Sequence, residues 1–598
     1  MFRFPSACPT RETTGPPPRP AFGIRATPSR RSRLSSPLRQ RQRHATAARL
    51  THLSHVAGKP GGRARVFGPA DWVIFIGYFA VTLAVGFWSG RRERNTTDFF
   101  LGGRRQHWLL AGVSIIATEV SALTLISVPA EAYATDWSYL QLYAGAFLGR
   151  WLIVFLLLPA FYGGSVTTVY EYLGQRFGHR TQTTAALCFM FSKIVGGSIR
   201  VLASAIAVSE TFNWSLPWVI GGMMVVVTAY TTHGGIKAIL WTDLLQALTF
   251  IGGGVAALVF LFLLVPGAWH ENVAAAWHSG KLHTFTWRPA EGVSWEKVFW
   301  LLLVSSTLQN MAALGTDQDL TQRMLTCRDV RESQRSLIFN LFAGFPIVCL
   351  FLSIGTMLFL AYSGGHADGP ASNVSRERVF PFFIANTLPE GAGLRGLLVT
   401  AIFAASMSSA ASALGALSSS AVTDLYRPFL AARGRDRAAR FEGHHLRVAR
   451  GLTFAFGALL AVVAYALRQS QGLLWEALSW AGLVFGAMLG VFLLGVLTKT
   501  RGSDRANLWI MLSSAALLAW FKIGQSVFPT ELARSDDGVS SWKLILFPAW
   551  QSAVVWPWWI IIGTAWTFGW GCCFAKPVAP ASGAAGQVAS SRNSSPSR

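Results

Sequence analysis

The sequence predicts an all-α polytopic membrane protein with about 13 transmembrane helices, and its composition and apolar runs lead to this fold class. Hydrophobic residues make up 52% of the 598 positions and charged residues only 13%, whereas about a quarter of a soluble domain is charged. Apolar runs of roughly 18 or more residues recur along the chain, each long enough to cross about 30 Å of hydrocarbon. A membrane β-barrel would instead show alternating segments of about ten residues.

Thirteen segments have the length and composition of membrane spans. In chain order they cover residues 71–90, 107–133, 138–162, 183–208, 215–232, 236–265, 295–314, 335–362, 393–424, 446–468, 472–498, 505–528 and 552–574. These spans form a membrane domain over residues 67–574, and we expect a disordered cytoplasmic tail at 575–598.

The loops between the spans differ in their content of basic residues. One set is rich in Arg and comprises residues 91–105, 170–180, 317–335, 427–450 and 498–505. The opposite loops, including 266–297 and 363–375, carry few basic residues for their length. Because Lys and Arg are retained in cytoplasmic loops, we expect a multi-pass protein of the cell membrane. We expect its amino terminus outside and its carboxyl terminus in the cytoplasm.

Residues 1–66 form a basic, Pro- and Ser-rich segment with 14 Lys and Arg against one acid, Glu12, and so a formal charge of +13. A disordered extension or a start assigned too early accounts for it best, although an organellar transit peptide has a similar composition. The segment lacks interleaved aromatics, so we expect no nucleic-acid partner. An outside amino terminus would require moving this charge across the bilayer, and we therefore expect 1–66 to be absent from the mature protein.

Polar side chains at three places inside the spans mark the candidate functional region, because such groups are costly in hydrocarbon. They are Ser114, Thr118, Glu119, Ser121 and Thr124 in the second span, the small and hydroxyl residues of 400–426, and Asp243 and Gln246 in the sixth span. Hydroxyls and Pro129 favour an unwound stretch in the second span, whose freed carbonyls suit a hard cation such as Na⁺. Alternatively, these residues only line helix–helix contacts.

Six stretches in fixed order resemble the solute:sodium symporter family. They are "DFFLGGR" (98–104), "SIIATEVSALTLISVPAEAY" (114–133), "YEYLGQRFG" (170–178), "GGIKAILWTDLLQ" (234–246), "GTDQDLTQRMLT" (315–326) and "GLLVTAIFAASMSSAASALGALSSSAVTDLY" (396–426). The resemblance implies a secondary active transporter that couples inward Na⁺ movement to uptake of a small solute by alternating access. It also implies the leucine-transporter fold, with inverted five-helix repeats over about 107–265 and 295–498 and a broken first helix in each repeat, spans 2 and 7.

The same resemblance implies a set of Na⁺ ligands. They are the backbone carbonyls of Ala117, Val120 and Ala405 and the hydroxyls of Ser408 and Ser409. Some members hold a second Na⁺, here at Asp243 and Ser412, but Ala411 lacks an expected hydroxyl. We therefore predict one Na⁺ per cycle as the coupling ion and no organic cofactor. Asp243 pairing with Lys237 is the structural alternative.

The expected partners are the lipid bilayer and a small solute. "PAEAY" (129–133) is similar to the branch that includes iodide, vitamin and monocarboxylate transporters, which favours an anionic solute. The candidate solute contacts lie near the predicted breaks and are Ser121, Thr124, Ser305, Gln309 and Asn310. Each of them can alternatively bridge helices.

Glu119 lies beside the predicted sodium-binding turn, where an unpaired carboxylate would be costly. We expect Lys193 or Arg200 in the fourth span to neutralise it. A role as an ion or solute ligand and a role in proton coupling are the alternatives.

Rival functions are a proton-coupled or uncoupled carrier on the same fold, and a transporter-like membrane sensor. The short Ala/Ser/Gly-rich stretch after Phe574 leaves no room for a kinase domain, which disfavours the sensor. An enzyme is not expected, because no HExxH or GxSxG string occurs and the loop histidines lack a compact ligand spacing.

Overall fold

The computed structural model describes residues 67–91, 95–164, 166–212, 214–288, 297–370, 376–433, 438–469, 473–527 and 554–575. Regular structure in these residues is helical, apart from two isolated bridges between Gln106 and Cys327 and between Arg501 and Ala575. The predicted extension at 1–66, and residues 576–598 of the predicted tail, lie outside the described residues.

The described residues contain twenty α-helices. The first ten are α1 Pro69–Ser89, α2 Thr96–Leu101, α3 Trp108–Glu119, α4 Ala122–Ala134, α5 Gln141–Leu152, α6 Leu158–Gly163, α7 Val169–Arg176, α8 His179–Phe212, α9 Leu216–Leu264 and α10 Trp269–His278. The others are α11 Phe299–Gly315, α12 Gln318–Leu325, α13 Val330–Ser363, α14 Val379–Phe382, α15 Leu394–Ser420, α16 Arg427–Ala432, α17 Ala438–Ala466, α18 Leu473–Leu497, α19 Asp504–Val527 and α20 Trp556–Cys573. Short π-helical stretches occur at Ile153–Leu157, Phe383–Thr387 and Ala421–Tyr426.

Helices occupy each of the thirteen predicted spans, and the all-helical fold class is confirmed. Within the described residues, nine helices are long and apolar enough to cross a membrane, or ten if the bent pair α3 and α4 is one span. The apolar helix α11 is shorter. The count of thirteen crossings stays a prediction.

Gly235 divides the longest helix, α9, into the two spans predicted at 215–232 and 236–265. Its backbone has φ 52° and ψ −148°, outside the helical range. A straight helix of 49 residues would be about 74 Å long, more than twice the thickness of the hydrocarbon layer. A side chain at Gly235 would place its Cβ 2.5 Å from the Phe99 carbonyl oxygen, so the change of direction requires glycine.

The break predicted in the second span is present between α3 and α4. The two helix axes differ by 56°, because Val120 (φ −79°, ψ 79°) and Ser121 (φ −83°, ψ 175°) leave the helical conformation. Pro129 lies inside α4.

The break predicted in span 7 is wrong, since α11 is continuous through residues 304–310. The polar side chains there satisfy their hydrogen bonds on the preceding turn of the same helix, so their presence requires no break. Ser305 Oγ donates to the Leu302 carbonyl (3.3 Å) and Asn310 Nδ2 to the Ser306 carbonyl (2.9 Å). The chain changes direction only after α11, where Thr316 and Asp317 precede α12.

Helix α15 lies at the centre of the bundle and positions the candidate site. Its residues are buried from Gly396 to Ser420 with almost no exception, and it packs against α1, α3, α8, α9 and α17. The many Ala, Ser and Gly residues of α15 allow these helices to approach closely. Asp71 at the start of α1 ties the two helices together, since its Oδ1 accepts the Gly396 N–H at 2.7 Å.

Gly235→Ala should lower the unfolding temperature of the detergent-purified protein. Alanine would have to adopt a positive φ, which costs about 1–2 kcal/mol, and its Cβ would clash with the Phe99 carbonyl oxygen. Gly252→Ala on the same helix is the matched control, because an added Cβ there meets no atom within 4 Å. Equal unfolding temperatures for the two variants would contradict this account of the bend.

Candidate functional site

A cavity of about 260 Å³ lies beside the break between α3 and α4. Four of the five predicted solute contacts line it, namely Ser121, Thr124, Gln309 and Asn310. The fifth, Ser305, does not line the cavity, whereas the next residue along the helix does. Ser306 lines the cavity, and its buried hydroxyl has no hydrogen-bond partner among the described residues.

The prediction that Glu119 pairs with Lys193 or Arg200 is wrong. Glu119 forms an ion pair with Arg150 of α5 and accepts a hydrogen bond from Asn340 Nδ2 at 3.0 Å. Arg150 also donates from Nε to Asn340 (2.9 Å) and from Nη1 to Asn310 (3.2 Å). Arg150 thus neutralises the carboxylate within the cavity wall. The sequence analysis did not single out Arg150, although an Arg inside an apolar span is a recognisable signal.

Two glycines explain why Arg150 reaches the cavity. Gly145 and Gly149 face α11, and a Cβ on either would lie within 2.9 Å of α11 atoms such as the Thr307 carbonyl oxygen. Small residues spaced four apart let two membrane helices approach closely. The adjacent Arg150 is thereby held next to Asn310 of α11.

Lys193 is held by two carboxylates that follow α11, and so it does not reach Glu119. Its Nζ lies 2.8 Å from both Asp317 Oδ2 and Asp319 Oδ2. The side chain is buried, and Lys193 and Asp317 both contribute to the cavity wall. The ion pair therefore joins α8 to the start of α12.

Arg200 also lines the cavity. It lies about two helical turns after Lys193, on the same face of α8. Its guanidinium interacts electrostatically with the Asp319 carboxylate. The charged residues lining the cavity are Glu119, Asp317, Arg150, Lys193 and Arg200. Asp319, which holds Lys193 from behind the wall, supplies a third negative charge that balances the three positive ones.

Asp243 is fully buried and pairs with Arg323 of α12 rather than with Lys237. Arg323 Nη2 lies 3.1 Å from Asp243 Oδ2, and Ser408 Oγ donates to Oδ1 at 2.6 Å. Ser114 Oγ donates to the same carboxylate. Arg323 extends the network through Nη1, which lies 3.1 Å from Asp319 Oδ1.

The second Na⁺ site predicted at Asp243 and Ser412 is not supported by this arrangement. The guanidinium of Arg323 already neutralises Asp243, and the Ser412 hydroxyl donates to Asp319. The two residues therefore serve neighbouring carboxylates of one ionic network.

The predicted ligands of the main Na⁺ site lie on α15 and at the end of α3, which pack against each other. Ala405, Ser408, Ser409 and Ser412 recur at helical spacing on one face of α15. Ser409 is 1% exposed, and its hydroxyl has no hydrogen-bond partner among the described residues. An orphan hydroxyl is costly in a buried setting, so a ligand there would stabilise it.

The backbone at the break leaves oxygens available. Val120 N–H donates to the Ile116 carbonyl (2.8 Å) and Ser121 N–H to the Glu119 carbonyl (3.0 Å). Neither bond uses the carbonyls of Ala117 or Val120, which a continuous helix would engage four residues on. Carbonyl and hydroxyl oxygens of this kind are the ligands that a hard cation prefers.

A polar cavity beside an unwound membrane helix, with unused oxygens and a buried ionic network, defines an ion-coupled membrane transporter. The chain belongs to the sodium:solute symporter family, whose sequence profile matches residues 99–512. It is therefore a multi-pass membrane protein that couples Na⁺ to the secondary transport of a small solute, and it is not an enzyme.

Individual relatives agree with this assignment. The sodium/sialic acid symporter SiaT of Proteus mirabilis is 30% identical over 461 residues, which cover 76% of this chain and 90% of the relative. The human sodium-coupled monocarboxylate transporter 1 is 27% identical, covering 77% and 74%. The human sodium/iodide cotransporter is 26% identical, covering 78% and 72%.

A solved structure shows the same fold. It is a Na⁺-coupled sialic acid symporter in a substrate-bound, outward-open state, and it matches with a TM-score of 0.72 at 25% identity. The match covers 86% of this chain and 100% of that chain. The predicted leucine-transporter-like fold class is confirmed by this likeness.

Arg323→Gln should destabilise the protein by about 3–5 kcal/mol, because it leaves buried carboxylates without their cation. Asp243→Asn added to the same chain should recover part of the loss, since the unpaired charge is then removed. Unfolding temperatures of the wild type, both single variants and the double variant measure this coupling. Losses that simply add would contradict a direct Arg323–Asp243 interaction.

Proposed function

We propose that the protein takes up a small organic carboxylate together with one Na⁺ into the cell. The observation that carries this proposal is the half-buried Arg200 guanidinium in the wall of the solute cavity, where a solute can reach it. A guanidinium in this position offers an anionic solute charge-assisted hydrogen bonds inside the cavity. The names of the relatives given above point the same way, since sialic acid, monocarboxylates and iodide are anionic solutes.

A carboxylate suits Arg200 better than a halide does. The planar guanidinium presents paired donors that match the two oxygens of a carboxylate. Ser121, Thr124, Gln309 and Ser306 offer hydroxyl and amide groups to the rest of the solute. A volume of about 260 Å³ lies below the usual range of drug-sized sites, roughly 300–1,000 Å³, and so favours a small solute.

The coupling Na⁺ takes the carbonyls of Ala117, Val120 and Ala405 and the hydroxyls of Ser408 and Ser409. Five oxygens are a suitable shell for a hard cation. Ser408 donates its proton to Asp243, which leaves its lone pairs free for the ion. One Na⁺ per cycle is proposed, because Arg323 already supplies the positive charge beside Asp243.

Coupling follows from the position of the break. Na⁺ would join α15 to the unwound end of α3, and Val120 and Ser121 on the other side of that turn line the solute cavity. Binding of the ion thus fixes the backbone that completes the solute site. By linkage, solute binding then tightens Na⁺ binding to the same degree.

Glu119 has a structural role in this scheme. Arg150 and Asn340 satisfy its carboxylate, and the three side chains join α3, α5 and α13 around the cavity. A proton carrier would require a carboxylate without such a fixed cation.

We further propose a cell-membrane location with the amino terminus outside and the carboxyl terminus in the cytoplasm. The Arg-rich loops meet at one end of the bundle: Arg104 donates to the Val166 carbonyl (2.6 Å), Arg176 to the Thr498 carbonyl (2.8 Å) and Arg427 to Thr96 (2.6 Å). This common end carries the basic residues that favour the cytoplasmic side. Na⁺ and solute then enter from the opposite end.

Uptake into proteoliposomes tests the function, with and without an inward Na⁺ gradient, for a short monocarboxylate, sialic acid, iodide, glucose and proline. We expect the gradient to accelerate uptake of a carboxylate and not of glucose or proline. Arg200→Gln should then raise the KM for that carboxylate about tenfold to a hundredfold. Hydrogen bonds to charged groups are worth about 1.5–3 kcal/mol, and about 1.4 kcal/mol is a factor of ten.

Arg447→Gln is the matched control for Arg200→Gln, because Arg447 is exposed on α17 and distant from the cavity lining. Gradient-independent uptake, or uptake of neutral solutes alone, would overturn the proposal. An unchanged KM in Arg200→Gln would reject Arg200 as the anion site while leaving Na⁺ coupling intact.

Ser409→Ala should raise the Na⁺ concentration for half-maximal uptake. Loss of one oxygen ligand worth 1–2 kcal/mol changes an equilibrium roughly 5–30-fold. Ser418→Ala on the same helix is the control, since the Ser418 hydroxyl donates to the Ala449 carbonyl (2.8 Å). Equal Na⁺ dependence in the two variants would argue against the ion site.

A further inference from the structure

A second cavity, larger than the solute cavity, lies elsewhere in the structure. It has a volume of about 870 Å³ and lies between α5, α13 and the short outer helix α10. Its wall is almost wholly apolar, with Leu140, Phe147, Leu341, Phe342 and Phe345 among the lining residues. An apolar wall of this kind offers no ligands to the coupling ion and no polar contacts to the proposed solute. We call this cavity the outer groove.

The opening of the outer groove is lined by exposed aromatic side chains of two candidate membrane spans. Phe147, Phe342 and Phe345 are 43%, 62% and 46% exposed, and they lie on helices that cross the membrane. The apolar side of this opening faces acyl chains, because spans of this composition are surrounded by lipid. Water is disfavoured in a cavity that offers it few polar partners.

The outer groove runs along the membrane-spanning parts of α5 and α13. Its wall along α5 and the preceding turn runs from Trp137 to Phe147, and ten residues of helix rise about 15 Å. Along α13 the wall runs from Leu341 to Met357, a rise of about 24 Å, so the groove follows much of a hydrocarbon layer of about 30 Å. At the mouth, α10 exposes Trp269 (71%) and Trp277 (68%), as is typical of residues at the membrane interface.

A polar anchor lies at this mouth. Asn272 of α10 lines the outer groove and is 6% exposed, and its Nδ2 has no hydrogen-bond partner among the described residues. Buried amide donors in proteins are nearly always paired. A ligand with an oxygen acceptor at the interface and a long apolar tail would satisfy both the Asn272 donor and the apolar wall.

We propose that the outer groove is a binding site for a membrane phospholipid from the leaflet next to α10. One acyl chain fills the groove between α5 and α13, and an ester oxygen of the glycerol region accepts the hydrogen bond from Asn272 Nδ2.

The phospholipid would contact the transport machinery through one residue. Tyr143 lines both the outer groove and the solute cavity, and its ring packs edge-on against Phe345 with centroids 5.8 Å apart. An acyl chain in the outer groove thus sets the position of a side chain in the solute cavity wall. Through Tyr143, the bound lipid would therefore change the affinity of the cavity for the solute.

Photolabelling in proteoliposomes tests the site, with phosphatidylcholine that carries a diazirine in one acyl chain as the probe. In the wild type, label should concentrate on peptides of α5 and α13 that line the outer groove. Ala144→Phe fills the groove from α5 and Ser353→Phe from α13. Each should reduce groove labelling at least fivefold and change the KM for the transported solute.

Ala516→Phe is the matched control, because Ala516 is exposed on α19 and lines neither cavity. It should leave both labelling and KM unchanged. Label spread evenly over exposed spans, and unaltered by both filling variants, would overturn the proposal. So would low labelling of the wild-type groove with chemical cross-links between two chains, which would show that a second copy covers it. The unfolding temperature of each variant checks that it is folded.

Discussion

A guanidinium buried between two carboxylates organises the centre of this protein. Arg323 contacts Asp243 of α9 and Asp319 of its own helix, and these acids in turn receive hydroxyls from Ser114, Ser408 and Ser412. In hydrocarbon each of these charges would be prohibitive alone. Paired, they connect α3, α9, α12 and α15 through side chains that are almost completely buried. The predicted Na⁺ ligands lie on two of those four helices.

The small residues of α15 make this arrangement sterically possible. Bulky side chains at the centre would hold α3 and α9 too far away for Ser408 to reach Asp243 at 2.6 Å. The same principle operates at α5, where Gly145 and Gly149 bring Arg150 against α11. Close packing of backbones therefore comes first, and the polar contacts of the site depend on it.

Hydropathy was sufficient to predict the helices, and the unwound turn at Val120 and Ser121 followed from a cluster of hydroxyls next to a proline. Each of these features is local, so the chain near it carries the signal. The partner of Glu119 could not be predicted in this way. Lys193 and Arg200 of the fourth span were preferred over Arg150 of the adjacent third span, but Asp317 and Asp319 hold Lys193. The break expected in span 7 is absent for a related reason. The polar residues of that span form hydrogen bonds within their own helix.

The position of Arg323 beside Asp243 determines the net charge that the proposed transport cycle moves. A permanent side-chain cation stands where a second mobile ion would otherwise balance the acid, so the proposed cycle carries one sodium and one monovalent carboxylate. The loaded carrier then moves no net charge, and the electrical potential across the membrane neither speeds nor opposes the loaded step. Accumulation is bounded accordingly: the inside-to-outside ratio of the solute cannot exceed the outside-to-inside ratio of sodium.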